Sequence, residues 1–154
     1  MKLDSRFSNI LVCVDNSKQS QKALSRAISI AEKFDSKLNI LMVIEDRQVD
    51  FWNDTEYKVG ADNPQIHLKK ESKIFQQVEK ILNDLVKRVP SKINCVTEIL
   101  TGDPAKVIVN YSKKKKPDVI IMGARGLGGF SKLLLGSVSS KVSDHASSSV
   151  LVGR

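Results

Sequence analysis

With 154 residues, a net charge of +8 and an isoelectric point near 9.5, the chain suits a single domain, 1–154, whose core is large enough to fold without staples. Its two cysteines, Cys13 and Cys95, sit in apolar runs with no Cys-x-x-Cys pair and no histidine beside them, which argues against a disulfide framework or a zinc site. No apolar stretch approaches the ~20 residues of a membrane helix, and the charged opening MKLDSRFSNILVCVD lacks the form of a signal peptide, so the expected setting is the cytoplasm.

In chain order, 9-NILVCVD-15 is a short β-branched apolar run that ends abruptly in polar residues, as a buried parallel strand does. Ser17 can then cap a helix whose apolar positions Ala23, Leu24, Ala27, Ile28, Ala31 and Phe34 recur at helical spacing. The run 38-LNILMVI-44 is a second buried strand, and strand, helix, strand over this length is the right-handed βαβ unit of a parallel sheet. Residues 45–65 are polar and show neither period, which predicts a long surface loop, with Phe51 and Trp52 either closing as a lid or tucking the loop onto the body. From Leu68 to Val89, Phe75, Val78, Leu82, Leu85 and Val89 alternate by three and four, so an amphipathic helix is expected, opened by His67 and stopped before Pro90.

A third strand is expected over 93-INCVTEIL-100, followed by 101-TGDPA-105, where Asp103 can cap a helix and Pro104 can take its first position. That helix ends in 113-KKKK-116, and lysines there complement the helix dipole. The run 118-DVIIMG-123 reads as a fourth strand, Ser137 begins another helix through Val138 and Val142, and 149-SVLVG-153 is a fifth strand. Five strands alternating with four helices make an open, doubly wound α/β sheet with helices on both faces. A spatial order of 3-2-1-4-5 puts its switch point between the strands ending at Asp15 and Gly123, where open α/β sheets bind ligands.

The stretch 123-GARGLGGFSKLLLGS-137 holds five of the eight glycines. Glycine is used where backbone must turn sharply or a ligand must come close, and this loop runs into a helix whose first N–H groups favour an anion. Neither a Walker loop nor a Gly-x-Gly-x-x-Gly fingerprint is present. Gly136, lacking a side chain, and Ser137, with its hydroxyl, are the expected phosphate contacts.

These residues resemble the universal stress protein family, whose ATP-binding members carry Gly-x-x-Gly, nine residues, then Gly-Ser/Thr; here that is Gly123, Gly126, nine residues, Gly136 and Ser137. The likeness extends to 11-LVCVDNS-17 and to 102-GDPA-105, which are similar to the family's first strand with its acidic end and to its Gly-x-Pro-Ala turn. It implies an adenine nucleotide alpha hydrolase-like fold and ATP, or AMP or ADP, as the ligand, with Mg2+ arriving on the phosphates. Asp15 would face the nucleoside and the main chain of Val43 the adenine edge. Met122, Gly123, Arg125 and Gly126 would line the ribose and phosphates, while Gly136, Ser137, Val138 and Ser139 would give N–H and hydroxyl groups to the phosphate tail. Alternatively, Asp15 caps the following turn, Arg125 is a solvated loop charge and Ser137 is a plain helix cap.

The resemblance also implies a homodimer through the final strand, although Ser148-Ser149 stand where members often have Cys-Pro, and Gly153 where a β-branched residue is common. Hydrolysis would need a base or water-orienting group, and the pattern offers only Asp15 and the hydroxyls of Ser137 and Ser139. The reading is therefore a nucleotide-dependent stress sensor or regulator, with slow hydrolysis or self-phosphorylation left open. The competing class is a basic interaction module for nucleic acid or protein partners that leaves the nucleotide site unused. At 5% aromatic residues and without reading residues among the lysines, no specific nucleic acid is expected as a partner. His145 and His67 read as surface histidines.

Overall fold

The computed structural model describes residues 7–49, 55–59, 64–68, 72–126 and 135–154. Five parallel strands form the central sheet: β1 (Asn9–Val14), β2 (Lys37–Ile44), β5 (Cys95–Thr101), β6 (Val119–Gly123) and β7 (Ser149–Gly153). Their spatial order is β5-β2-β1-β6-β7, which is 3-2-1-4-5 when only these strands are counted. Helices α1 (Lys18–Phe34), α2 (Lys73–Val86), α3 (Pro104–Lys115) and α4 (Ser137–His145) connect them.

The near-continuous apolar runs in β1, β2 and β6 follow from burial on both faces. Alternate residues of β1 serve two cores: Ile10, Val12 and Val14 pack with Ala23, Leu24 and Ala27 of α1 and Leu82 and Leu85 of α2. Leu11 and Cys13 instead pack with Ala105 and Ile108 of α3 and Val142 of α4. The result is three layers, with α1 and α2 on one face and α3 and α4 on the other. Ile10, Leu24, Leu38 and Ile120 are fully buried, each contributing about 2 kcal/mol by removal from water. Asn39, a buried polar residue of this sheet, is satisfied, its Nδ2 donating to Asn9 Oδ1 at 2.7 Å and to the Ile10 carbonyl at 3.0 Å.

Two expectations need correction. Residues 45–65 are not simply loop: a 3-10 turn spans Asp46–Gln48, and β3 (Thr55–Val59) pairs antiparallel with β4 (Pro64–Leu68). His67 and Leu68 therefore belong to β4, and the long helix starts later, at Lys73 behind its cap Ser72. Phe51 and Trp52 lie outside the described residues, as do residues 127–134 of the glycine-rich loop. Among the described residues, no helix is long and apolar enough to cross a membrane.

Candidate functional site

The order of the sheet sets the site. The chain leaves β1 for α1 on one face and leaves β6 for α4 on the other, so their adjacent carboxyl ends open a crevice. β1 stops at Val14 opposite Met42. On that side the last two residues of β2, Val43 and Ile44, consequently have no neighbouring strand.

Past β1, Asn16 takes a positive φ of 67° and turns the chain into α1. Asp15 Oδ1 accepts from the Ser17 N–H at 3.0 Å, and its own N–H donates to Ser20 Oγ at 3.3 Å. Asp15 thus closes the turn, the alternative role the sequence left open for it, while Oδ2 is turned toward Gly126, where a Cβ would collide with it.

Past β6, the missing Cβ of Gly123 lets the strand end lie on the first turn of α1; a Cβ there would meet the Gln19 backbone carbon and Cβ at 3.0 Å. Ala124 then joins three elements. Its N–H donates to the Gly153 carbonyl at 2.7 Å, and its carbonyl accepts from the Gly136 N–H at 2.6 Å and from Ser139 Oγ at 2.7 Å. The Arg125 N–H donates to Gln19 Oε1 at 2.8 Å. The start of α4 is thereby fixed against the end of β6.

That helix start is unlike the others in its capping. Ser17 accepts from the Ser20 N–H ahead of α1, Ser72 from Phe75 ahead of α2, and Asp103 from Lys106 ahead of α3. Gly136 caps α4 and brings no side chain. Among the described residues no acceptor meets the N–H groups of Ser137, Val138 and Ser139, which carry the positive end of the helix dipole.

All ten residues singled out in the sequence, Asp15, Val43, Met122, Gly123, Arg125, Gly126, Gly136, Ser137, Val138 and Ser139, line one cleft of about 500 Å3. Ser139 stands there in a different capacity from the one expected: its hydroxyl is buried and donates to Ala124 rather than toward the cleft. Gly136 also has a second reason to be glycine, because a Cβ would meet the Ala124 carbonyl at 3.0 Å and Arg125 Cα at 3.3 Å. Sequence reasoning missed the rim formed by Glu45, Arg47 and Gln48, and the floor to which Cys13, Leu41 and Ile108 contribute. Spacing held a signal for the rim: Glu45 and Gln48 stand three apart and form a reciprocal capping box. Burial pushes the Cys13 thiol up to about 12, so the thiol in the floor is protonated and inert at neutral pH. Among the described residues no group of three His, Cys, Asp or Glu could hold a metal ion.

Comparison with known proteins gives a consistent family. The model of the universal stress protein family matches residues 6–154. The chain is 32% identical over 151 residues to the universal stress protein YxiE of Bacillus subtilis, covering 96% of this chain and 99% of that one. Its fold superposes on the universal stress protein UspA from Lactobacillus plantarum with a TM-score of 0.71 at 28% identity, covering 97% and 99% of the two chains. Two further solved structures share the fold: a universal stress protein in complex with cAMP (TM-score 0.64, 23% identity, 96% and 97% covered) and one from Archaeoglobus fulgidus in complex with dAMP (0.66, 16%, 96% and 98%).

Proposed function

The chain belongs to the universal stress protein family, and on that premise we propose that it binds an adenine nucleotide, ATP before AMP or ADP, as a nucleotide-dependent stress sensor or regulator. The observation that carries this reading is the uncapped start of α4, where three successive N–H groups that meet no acceptor among the described residues border a cleft at the switch point of the sheet. The phosphates rest on Gly136, Ser137 and the N–H groups of Val138 and Ser139. The ribose and nucleoside lie toward Asp15, Met122, Gly123, Arg125 and Gly126, and the adenine edge meets main chain near Val43, where β2 outruns β1. The cAMP and dAMP held by structural relatives are adenine nucleotides, in keeping with this choice of base.

Mg2+ fits as a passenger and not as a resident ion. Among the described residues the carboxylates lining the cleft are Asp15 and Glu45; one Asp15 oxygen is already bonded to the Ser17 N–H, and Glu45 is paired with Arg47. A divalent ion would be held mainly by the phosphate oxygens, whose charge it would partly neutralise. The role is one of binding, set in the cytoplasm, where ATP is available and Cys13 and Cys95 remain reduced.

Assembly is part of the proposal. β7 lies at the edge of the sheet, and Leu151 on it is 41% exposed. An unpaired edge with apolar side chains is an association hazard that a two-fold partner strand covers symmetrically. Light scattering should give twice the 17.1 kDa chain mass, and Leu151→Pro, which removes a ladder donor, should give monomer. A single-chain mass for the unaltered protein across micromolar concentrations would remove the dimer from the proposal. Lys113, Lys114 and Lys115 fill the last turn of α3, where they offset its dipole, so any binding to duplex DNA is expected to be weak, salt-sensitive and indifferent to sequence.

The direct test is the identity of the small molecule released when the purified protein is denatured, together with calorimetric titration of ATP into stripped protein. An adenine nucleotide in the supernatant and saturable binding of one ATP per chain support the reading. Absence of binding by ATP, ADP and AMP alike overturns it.

A further inference from the structure

The carboxyl end of β2 carries a rim to which the family resemblance assigned no residue. Immediately after Ile44 the chain closes on itself: the Glu45 side chain accepts from the Gln48 N–H, Gln48 Oε1 accepts from the Glu45 N–H at 3.1 Å, and Arg47 Nε pairs with Glu45 Oε2. The Ile44 carbonyl accepts from the Gly102 N–H at 3.0 Å, which fastens the turn to the end of β5. Arg47 is thereby paired through its Nε with Glu45, and its side chain, 81% exposed, borders the cleft with the rest of the guanidinium turned to solvent-accessible space.

Two placements bear on what this arginine does. The uncapped end of α4 lies beyond β6, whereas the rim lies beyond β2, with β1 between them. A nucleotide whose phosphates rest on α4 must extend its base toward β2. In addition, no aromatic ring lines the cleft among the described residues, so the faces of a nucleobase would otherwise meet only aliphatic and small polar groups. A guanidinium is planar, weakly hydrated and stacks on aromatic rings, including bases. Its attraction to a ring face is appreciable when partly desolvated.

We infer that Arg47 is a specificity-determining residue that lays its guanidinium plane on the nucleobase, with Glu45 and Gln48 as the residues that position it. The inference rests on the nucleotide reading above and deepens it by assigning the base its own side-chain contact. A phosphate-binding role is the opposite alternative: it would need only the charge, and it would act on any polyphosphate.

The experiment compares the whole chain with its Arg47→Ala and Arg47→Lys variants, titrating each with ATP and with inorganic tripolyphosphate, which has no base. Both variants keep the Glu45–Gln48 capping box, and unchanged melting temperatures would verify that the turn persists. The expected result is a loss of about tenfold in ATP affinity in both variants, with tripolyphosphate affinity unchanged. Full rescue by Arg47→Lys overturns the stacking of a guanidinium plane in favour of charge alone, and an equal loss for tripolyphosphate overturns the base contact in favour of a phosphate contact. Unchanged ATP affinity in Arg47→Ala overturns it outright while the nucleotide reading stands. Failure of the unaltered protein to bind ATP would defeat both.

Discussion

The start of α2 and the start of α4 solve the same physical problem in opposite ways. Each helix begins with N–H groups that have no partner inside the helix. Ser72 supplies α2 with a hydroxyl that accepts from Phe75 and is itself buried, so that end is internally complete. Gly136 supplies α4 with nothing, and the three N–H groups behind it border a cleft. A helix end left uncapped at the switch point of a sheet is a more specific candidate for an anion site than a glycine-rich loop, because it presents N–H groups and a helix dipole together.

Gly136→Val should break the comparison most severely. The new side chain would press on the Ala124 carbonyl and Arg125 Cα, displacing the start of α4. ATP affinity should fall by more than about 100-fold, since several hydrogen bonds to charged oxygens are lost together. Calorimetry reads the affinity, and a melting curve should show lowered stability as well, because the contact is structural.

Ser137→Pro is the cleaner cut. Proline is tolerated at the first position of a helix, and Gly136 already has the extended φ and ψ of −64° and 161° that a residue before proline prefers. One N–H and one hydroxyl disappear while the helix remains. A loss of roughly 10- to 100-fold in ATP affinity with an unchanged circular dichroism spectrum is expected, in line with hydrogen bonds to charged groups.

Ser72→Ala is the reciprocal experiment on the capped helix. It should cost about 1 kcal/mol of stability in denaturant unfolding and leave ATP affinity unaltered. A change in affinity there would show that the two helix ends are not functionally distinct.

The smallest effect concerns the floor of the cleft. Because burial raises the Cys13 thiol from 9.0 to about 12, the folded chain holds this proton where the unfolded chain releases it. Its contribution to stability is therefore complete below about pH 9 and is lost as pH rises toward about 12. Native Cys13 should resist alkylation at pH 8 and react once the chain is unfolded, which mass spectrometry can follow.

The central strands β1, β2 and β6 were legible because burial on both faces writes continuous apolar runs such as 9-NILVCV-14 and 38-LNILMVI-44, and the helices because Ser17, Asp103 and Pro104 punctuate them, whereas the expected order 3-2-1-4-5 is written in no local run. The hairpin was missed although Thr55, Tyr57 and Val59 alternate with Glu56 and Lys58, a period-two signal hidden by the polar composition around it. The long helix was begun too early because Leu68 happens to fall at helical spacing from Phe75, whereas Ser72 is the true stop and start.

At the candidate site, the sequence identified which residues gather but not why some are small. Gly123 and Gly136 read as openings for a ligand, yet their missing Cβ atoms are also required by Gln19 and by Ala124. Ser139 read as a phosphate ligand, yet its hydroxyl anchors α4 to Ala124. Such close approaches between distant segments leave no mark in local spacing. The Glu45–Gln48 turn did leave one, in the three-residue interval of its capping box.

The central claim is that the uncapped start of α4 is completed by phosphate. Amide hydrogen exchange of the unaltered protein, with and without ATP, tests it most directly. The account predicts that ATP slows exchange at Ser137, Val138 and Ser139 strongly while Phe75 and its neighbours at the start of α2 are unaffected. ATP binding that leaves the exchange of Ser137, Val138 and Ser139 unchanged would contradict it.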